Sequence, residues 1–281
     1  MRIDLHAHSN VSDGTQAPGA VMAAAAEAGL DVIALTDHDS TDGWAGAAAG
    51  AREHGVALVP GMEISCRTTE GISVHLLCYL HDPEHPGLLE EITKAKDARF
   101  TRAERMVSLL AEDDPLSWDD VIHHVAPGAT LGRPHIADAL VAAGVVADRT
   151  EAFESILTSR SRYYVQHYAP DPALAVELVR AAGGVPVFAH PVASARGRTV
   201  GESVYQEMID AGLAGLEIYH RDNPEEGRAF LRKLADRHGL LVTGSSDYHG
   251  TGKPNRLGEN LTSPEVFARI EELGTGTPVV R

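Results

Sequence analysis

The chain has little of what marks secreted or membrane proteins. Its 281 residues include only two cysteines, Cys66 and Cys78, which is too few for a disulfide framework. No apolar run is long enough to span a bilayer, and the first residues show no signal-peptide pattern. We therefore expect a protein of a reducing cytoplasm without a membrane partner.

Basic and aromatic residues are also scarce. Lysine and arginine together number 24 against 40 aspartates and glutamates, and the formal net charge is −16. Such a balance argues against binding to duplex nucleic acid, because that binding relies on basic side chains that neutralise phosphates. Aromatic residues make up 5% of the chain, so alanine, valine and leucine must build most of the core. No feature indicates a particular oligomeric state.

Seven short apolar runs are present, and many of them are followed by helical stretches. They are Arg2–Ala7, Val32–Thr36, Val56–Ile64, Ile72–Leu80, Val185–Ala189, Gly215–Tyr219 and Leu240–Gly244. Strands that alternate with helices predict a mostly parallel sheet. Ligand-type residues stand at the carboxyl ends of most of these strands, which suggests an α/β barrel whose chemistry lies on one face.

The middle of the chain has a different pattern. From residue 81 to residue 160 it is helical and richly charged, for example over Leu88–Leu110, and contains no convincing strand. We predict a helical insert of residues 81–160 that caps the mouth of the barrel. The barrel domain would then be discontinuous, with residues 1–80 and 161–281.

Histidines and carboxylates are clustered after the apolar runs. The clusters are Asp4–Ser9, Thr36–Asp39 and Ser246–His249. His6 and His8 are two residues apart on an extended segment and therefore point the same way, and Asp247 and His249 repeat this spacing. Imidazoles and carboxylates together suit Zn²⁺, Mn²⁺ and Fe²⁺. Several such clusters imply a multi-metal site, and such sites commonly hydrolyse phosphate esters.

Three aspartates near these clusters have a simpler structural interpretation. Asp13 precedes a glycine in a polar loop, where an aspartate commonly stabilises a turn. Asp37 or Asp39 could cap the following helix. Both roles are compatible with a site in which His38 is a ligand and Asp37 orients an imidazole from outside the ligand set.

Three further candidates lie in or after apolar strands. Glu63 ends an apolar run, and a carboxylate there needs a partner, either a metal or an arginine. His75 lies within a strand, where a lone histidine is usually a hydrogen-bonded core residue. His190 ends the run before Pro191. Taken together these positions indicate a metal site more strongly than any one of them, because independent structural roles would have to coincide.

These residues resemble the PHP family, named for polymerase and histidinol phosphatase. The family's four motifs match Asp4–Ser9, Thr36–Asp39, Ala189–Pro191 and Ser246–His249. The resemblance implies a distorted seven-stranded (β/α) barrel with a trinuclear site for two or three divalent ions, namely Mn, Fe or Zn. The family's nine metal positions correspond here to His6, His8, Asp13, His38, Glu63, His75, His190, Asp247 and His249.

The insert also matches one group within this family. The segment Gly132–His135 is similar to the one found in stand-alone bacterial phosphoesterases, a group that includes 3′,5′-nucleotide bisphosphate phosphatases and RNase AM. That likeness implies that Arg133 clamps a phosphate, and that His135 orients the substrate or protonates a leaving oxygen. The simpler alternative is an arginine at a helix start. His220 follows the sixth strand, and we predict that it contacts substrate at the barrel mouth.

The expected function is that of a metal-dependent phosphoesterase acting on a small phosphorylated substrate. By resemblance, a metal-activated hydroxide would hydrolyse phosphate monoesters of small nucleotides such as 3′,5′-bisphosphonucleotides. Three alternatives stay open: a 5′→3′ exoribonuclease on short RNA, a histidinol-phosphate phosphatase, and a non-catalytic metal-stabilised scaffold.

Overall fold

The protein is described by a computed structural model that covers residues 1–281. Seven strands form one sheet: β1 (Ile3–Asp4), β2 (Val32–Leu35), β3 (Ala57–Arg67), β4 (Ser73–Tyr79), β5 (Val185–Phe188), β6 (Gly215–Tyr219) and β7 (Leu241–Gly244). The ten α-helices are α1 (Pro18–Glu27), α2 (Trp44–His54), α3 (Pro86–Leu110), α4 (Trp118–Ile122), α5 (Arg133–Ala142), α6 (Arg149–Glu151), α7 (Pro172–Ala181), α8 (Glu202–Asp210), α9 (Glu225–His238) and α10 (Pro264–Leu273). None of these helices combines the length and the apolar character that a membrane crossing requires.

The helix boundaries follow local backbone chemistry. Pro18, Pro172 and Pro264 each lie in the first turn of a helix, where the absent N–H of proline costs no hydrogen bond. Helices α2 and α9 end at Gly55 and Gly239, which adopt left-handed conformations that glycine reaches without steric cost. These signals explain why the helices begin and end at these residues.

The seven strands lie side by side in chain order from β1 to β7. Strands β1, β2 and β3 are mutually parallel, and so are β5, β6 and β7. Strand β4 is antiparallel to both of its neighbours, so the prediction of a mostly parallel sheet fails at this strand. The reason is the link between β3 and β4, which is too short for the crossover that a parallel pair needs.

The sheet curls into a nearly closed barrel, which confirms the predicted distorted seven-stranded architecture. Strand β1 is shorter than predicted, because the chain turns after Asp4 into the loop that carries His6 and His8. An isolated parallel bridge between Ala7 and Tyr248 links this loop to the segment after β7. The first and last segments of the barrel therefore meet at its mouth.

Strand β3 is longer at its carboxyl end than predicted. Pairing with β4 extends it to Arg67, beyond the predicted end at Ile64. As a result Glu63 lies within the strand rather than at its end. Because β4 runs in the opposite direction, His75 near its start lies opposite Ser65, at the same end of the barrel as the carboxyl ends of the parallel strands.

Four apolar clusters support this arrangement, and two of them distinguish the barrel from the helical segment. One core fills the barrel, where the hydroxyl of Tyr79 donates a hydrogen bond to the carbonyl of Leu5 at 2.8 Å. The other consists only of residues between 103 and 157, including Met106 and Ile136. Residues 81–160 contain helices and no strand, as predicted. The boundaries of the insert at residues 81 and 160 stay a prediction.

Candidate metal centre

Glu63 lies at the centre of the site. Its carboxylate is almost completely buried, and five histidines each place a ring nitrogen within 3.3 Å of it. Oε2 faces His6 at 3.2 Å, His8 at 3.1 Å and His38 at 3.3 Å, and Oε1 faces His75 at 2.9 Å and His190 at 3.1 Å. Burial alone would raise the pKa of Glu63, but His6, His38 and His75 hold it well below its usual range.

Glu63 and three neighbouring residues offer four ligand atoms in one compact group. They belong to His6, His8, Glu63 and Asp247. The two Nε2 atoms of the histidines lie 3.0 Å apart, and they lie 3.5 Å and 3.4 Å from Oδ1 of Asp247. Ligands about 2.0–2.1 Å from a tetrahedral ion are roughly 3.3 Å from one another. The spacing of these four atoms therefore suits a single divalent ion.

Two more groups share members with the first. One consists of His8, Asp13, His38 and His249, and the other of His38, Glu63 and His75. The closest contact in the former joins Nε2 of His249 to Oδ1 of Asp13 at 3.1 Å. His190 reaches the cluster through Glu63. The structure thus brings together in one cluster all nine residues that the sequence singled out as candidate metal ligands.

The donor atoms fit metal ligation better than mutual hydrogen bonding. Nδ1 of His38 and Nε2 of His249 are buried and have no hydrogen-bond partner, although a carboxylate oxygen is close to each. A buried nitrogen without a partner costs free energy. Lone pairs that converge on a common point have this geometry, and imidazole with carboxylate is a donor set that divalent ions accept.

The backbone is strained where it presents two of these residues. His190 and Asp247, after β5 and β7, have positive φ angles of 32° and 54°. Residues other than glycine rarely adopt this left-handed conformation, and it costs on the order of 1–3 kcal/mol. The surrounding structure maintains it, since the N–H of His190 donates to Oε2 of Glu217 at 2.7 Å.

Glu217 belongs to the site although sequence reasoning missed it. Nδ1–H of His6 donates to Oε1 of Glu217 at 2.9 Å, which leaves Nε2 of His6 free to face the centre. Burial opposes ionisation, but His6 lowers the pKa of Glu217 to about 2. The available signal was a lone glutamate in the apolar strand β6, which is the same kind of signal that drew attention to Glu63.

Two cations also missed from the sequence flank Asp247. Its Oδ2 accepts hydrogen bonds from Arg196 at 2.6 Å and from Lys253 at 3.1 Å. Burial would raise the pKa of Asp247, but Lys253 and Arg196 hold it well below its usual range. Nε2 of His220 lies 3.5 Å from the same oxygen, and its ring is buried. The predicted substrate contact His220 therefore lies beside Asp247.

Asp37 has serine partners rather than histidine partners. Its oxygens accept hydrogen bonds from the Ser9 N–H at 2.7 Å and from the hydroxyls of Ser9 and Ser12, both at 2.6 Å. The Ser12 hydroxyl lies 3.4 Å from Nδ1 of His8, so Asp37 reaches an imidazole only through this serine. The helix-capping alternative for Asp37 or Asp39 is wrong, because the N-cap of α2 is Gly43.

The helical segment reaches over the barrel mouth. The N–H of Thr130 donates to the carbonyl of Val11 at 2.9 Å, and Arg149 donates to the carbonyl of Asp13 at 3.2 Å. Arg149 is itself held by a bidentate pair with Asp138 at 2.5 and 2.6 Å. These contacts cover the side of the site that contains Asp13.

The predicted phosphate contacts Arg133 and His135 lie at the start of α5. Nδ1 of His135 accepts a hydrogen bond from the Gly132 N–H at 3.1 Å, so the neutral ring carries its proton on Nε2. Burial lowers the pKa of His135, and Asp13 partly offsets this effect. Arg133 donates to the carbonyl of Leu157 at 2.8 Å and has no hydrogen bond or ion pair with any of the nine candidate ligands.

Known proteins resemble the chain over most of its length. The family model of the PHP domain matches residues 4–180. A 3′,5′-nucleoside bisphosphate phosphatase from Chromobacterium violaceum is 34% identical over 90% of the chain and 89% of the relative. A 5′-3′ exoribonuclease from Haemophilus influenzae is 30% identical over 92% of the chain and 94% of the relative.

A solved structure agrees with the fold at high similarity. It is that of a candidate metal-dependent phosphoesterase from Bifidobacterium adolescentis, which superposes with a TM-score of 0.95 at 42% identity. The match covers 97% of the chain and 96% of that protein. The barrel and the helical segment over its mouth are therefore shared with this protein as one unit.

Proposed function

The chain belongs to the PHP domain family and is a metal-dependent phosphoesterase, and we propose that it removes phosphate from small nucleotides such as nucleoside 3′,5′-bisphosphates. The observation that carries this proposal is the carboxylate of Glu63 with five imidazoles around it. No simpler role accounts for so many histidines on one buried carboxylate. The likeness to the Chromobacterium phosphatase supports the substrate class.

We further propose that two or three divalent ions, namely Mn, Fe or Zn, are held by the nine residues of the centre. The three overlapping ligand groups support this number, since together they comprise eight residues, twice the four ligands that a zinc ion usually takes. Glu63, whose two oxygens face different imidazoles, would be one of the residues that hold them. Such ions would lower the pKa of a water molecule, to about 7 in favourable zinc cases, and withdraw charge from a phosphate ester.

The remaining steps are carried by the chain's own residues. Glu217 holds the proton of His6 on Nδ1, so that Nε2 stays available. Arg196 and Lys253 keep Asp247 ionised. His135 carries its proton on Nε2, and this N–H is proposed to donate a hydrogen bond that orients the substrate, while the leaving oxygen takes its proton from water.

The second candidate is a 5′→3′ exoribonuclease acting on short RNA. The similarity to the Haemophilus exoribonuclease over nearly the full length of both chains favours it. Both activities break a phosphate ester at the same kind of centre, so the two candidates differ in the leaving group and in what binds beyond the metals.

Phosphate release after reconstitution with Mn²⁺ tests the proposal. The substrates would be adenosine 3′,5′-bisphosphate, AMP, a short 5′-phosphorylated RNA and histidinol phosphate. We expect rapid release from the bisphosphate and its loss in Asp247→Asn, with Asp236→Asn, an exposed aspartate of α9, as the matched control. Mononucleotides released from RNA would favour the exoribonuclease, and inactivity on all four substrates with metal bound would refute the proposed class of substrates.

A further inference from the structure

Four arginines converge where the end of β3 meets the helical segment. We call Arg67, Arg99, Arg102 and Arg133 the arginine cluster. Tyr164 lies among them, with the guanidinium carbons of Arg102 and Arg133 at 5.3 and 5.8 Å from its ring centre. Nη2 of Arg67 lies 3.4 Å from Nδ1 of His167. These side chains come from a strand, two helices and the loop before α7, so only the fold brings them together.

The cluster has far fewer negative charges than positive ones. Only Arg99 has a carboxylate partner, Asp39, at 2.7 Å. Arg102 and Arg133 donate to the carbonyls of Val165 and Leu157, and Nε of Arg67 is buried without any hydrogen-bond partner. Burying guanidinium groups together without counter-charges is costly. An anion bound among them would remove that cost.

The positive charge of the cluster contributes to lowered pKa values of groups in and beside it. Burial together with Arg133 lowers the pKa of Arg102 to about 9. The pKa of His167 is lowered to about 2, mainly by burial and next by the positive charge of the four arginines, of which Arg102 contributes most. Both shifts have the direction expected beside unneutralised cations.

The arginine cluster adjoins the metal centre. Glu63, Ser65 and Arg67 alternate along β3, so their side chains share one face of the strand. Arg99 donates a hydrogen bond to the Ser65 hydroxyl, between the two sites. Ser65 is two residues from Glu63, roughly 7 Å along the strand, so the cluster begins there, at Arg99, rather than at Arg67. The separation of the two phosphates within one nucleotide is of this order, so the metal centre and the near end of the cluster can hold one phosphate each.

We propose that the arginine cluster binds a second phosphate group of the substrate, while the metal centre binds the phosphate that is removed. The inference rests on the proposed function and deepens it, because it makes the second phosphate the determinant of specificity. Guanidinium groups offer paired N–H donors that match phosphate oxygens. A substrate with one phosphate, such as AMP or histidinol phosphate, would leave the cluster without an anion when that phosphate is bound at the metal centre.

A binding experiment on metal-free protein tests the cluster alone. AMP would be titrated calorimetrically into protein treated with chelator, so that the metal centre cannot hold the phosphate. We expect binding that weakens about tenfold or more in Arg67→Gln and less in Arg67→Lys. The control is Arg162→Gln, an exposed arginine of the same region. Equal binding by Arg67→Gln and wild type would overturn the inference.

A kinetic comparison separates this inference from the proposed function. The measured quantity is the ratio of kcat/KM for adenosine 3′,5′-bisphosphate to that for the better of 3′-AMP and 5′-AMP. We expect a ratio of about ten or more that falls strongly in Arg67→Gln, with an unchanged thermal midpoint excluding misfolding. An active enzyme whose ratio is the same in both proteins refutes only the arginine cluster. Absence of phosphate release from every nucleotide refutes the proposed function and the inference with it.

Discussion

The metal centre and the arginine cluster lie side by side and have opposite charge compositions. The metal centre combines three carboxylates with six histidines, and two buried nitrogens there, Nδ1 of His38 and Nε2 of His249, have no hydrogen-bond partner. The arginine cluster combines four guanidiniums with a single carboxylate, that of Asp39. The first composition suits cations and the second suits anions. A substrate with two phosphates would place one phosphate in each site. Neither site by itself indicates such a substrate.

Removing the central carboxylate should have the largest effect. In Glu63→Gln the five imidazoles lose their shared charged partner, and disrupting a buried network of this kind costs about 3–5 kcal/mol. We expect metal content to fall and kcat to drop by roughly 10³-fold. Elemental analysis and phosphate release measure the two effects. Retention of full metal content and activity would contradict the central position of Glu63, and Glu226→Gln on the exposed start of α9 is the control.

Replacing Glu217, which accepts a hydrogen bond from His6, should have a smaller effect on the metal centre. In Glu217→Gln the geometry is nearly preserved, but His6 loses a charged acceptor for its Nδ1–H. We expect metal affinity to fall by about 10- to 100-fold, and activity to recover when more metal is added. Activity titrated against Mn²⁺ concentration checks this. A loss that excess metal does not restore would contradict a positioning role.

Removing one member of the arginine cluster should leave the metal centre intact. In Arg133→Ala we expect KM for the bisphosphate to rise about tenfold with little change in metal content, because a charge-assisted hydrogen bond to substrate is lost. Steady-state kinetics with elemental analysis separates these outcomes. A loss of metal comparable to that in Glu63→Gln would show that the two regions are not independent.

The smallest effect concerns protonation in the arginine cluster. Burial and the arginines lower the pKa of His167 to about 2, so in ligand-free protein this ring stays neutral from pH 8 to pH 4. An anion bound in the cluster offsets the positive charge, and we expect the pKa of His167 to rise when AMP is added to metal-free protein. Nuclear magnetic resonance titration of the ring, assigned with His167→Gln, measures the change. A pKa that is the same with and without AMP would argue against an anion near His167.

The two regions also differ in how much of them could be predicted from sequence. The nine residues of the metal centre follow apolar strands or lie in them, and barrel geometry brings such positions to one end. Glu217 had a comparable signal that was overlooked. The antiparallel direction of β4 was not predicted, because an apolar run is the same whichever neighbour it pairs with.

The arginine cluster had no such signal. Arg99 and Arg102 belong to the long charged helix α3, Arg67 lies at a strand end, and each resembles an ordinary exposed charge in the sequence. Only Arg133 was singled out, through its resemblance to a family motif. Its guanidinium contacts Tyr164 and the carbonyl of Leu157 rather than the candidate ligands.

The sequence by itself determined the barrel class and the identity of the candidate ligands, because strand periodicity and residue chemistry are local properties that the chain order preserves. The tertiary structure alone decided that Glu63 lies among five imidazoles, that Glu217 orients His6, and that four distant arginines share one site. These facts depend on long-range packing between the barrel and the helices over its mouth. Which charged groups pair there depends on their distance in space, and local sequence patterns do not encode that distance.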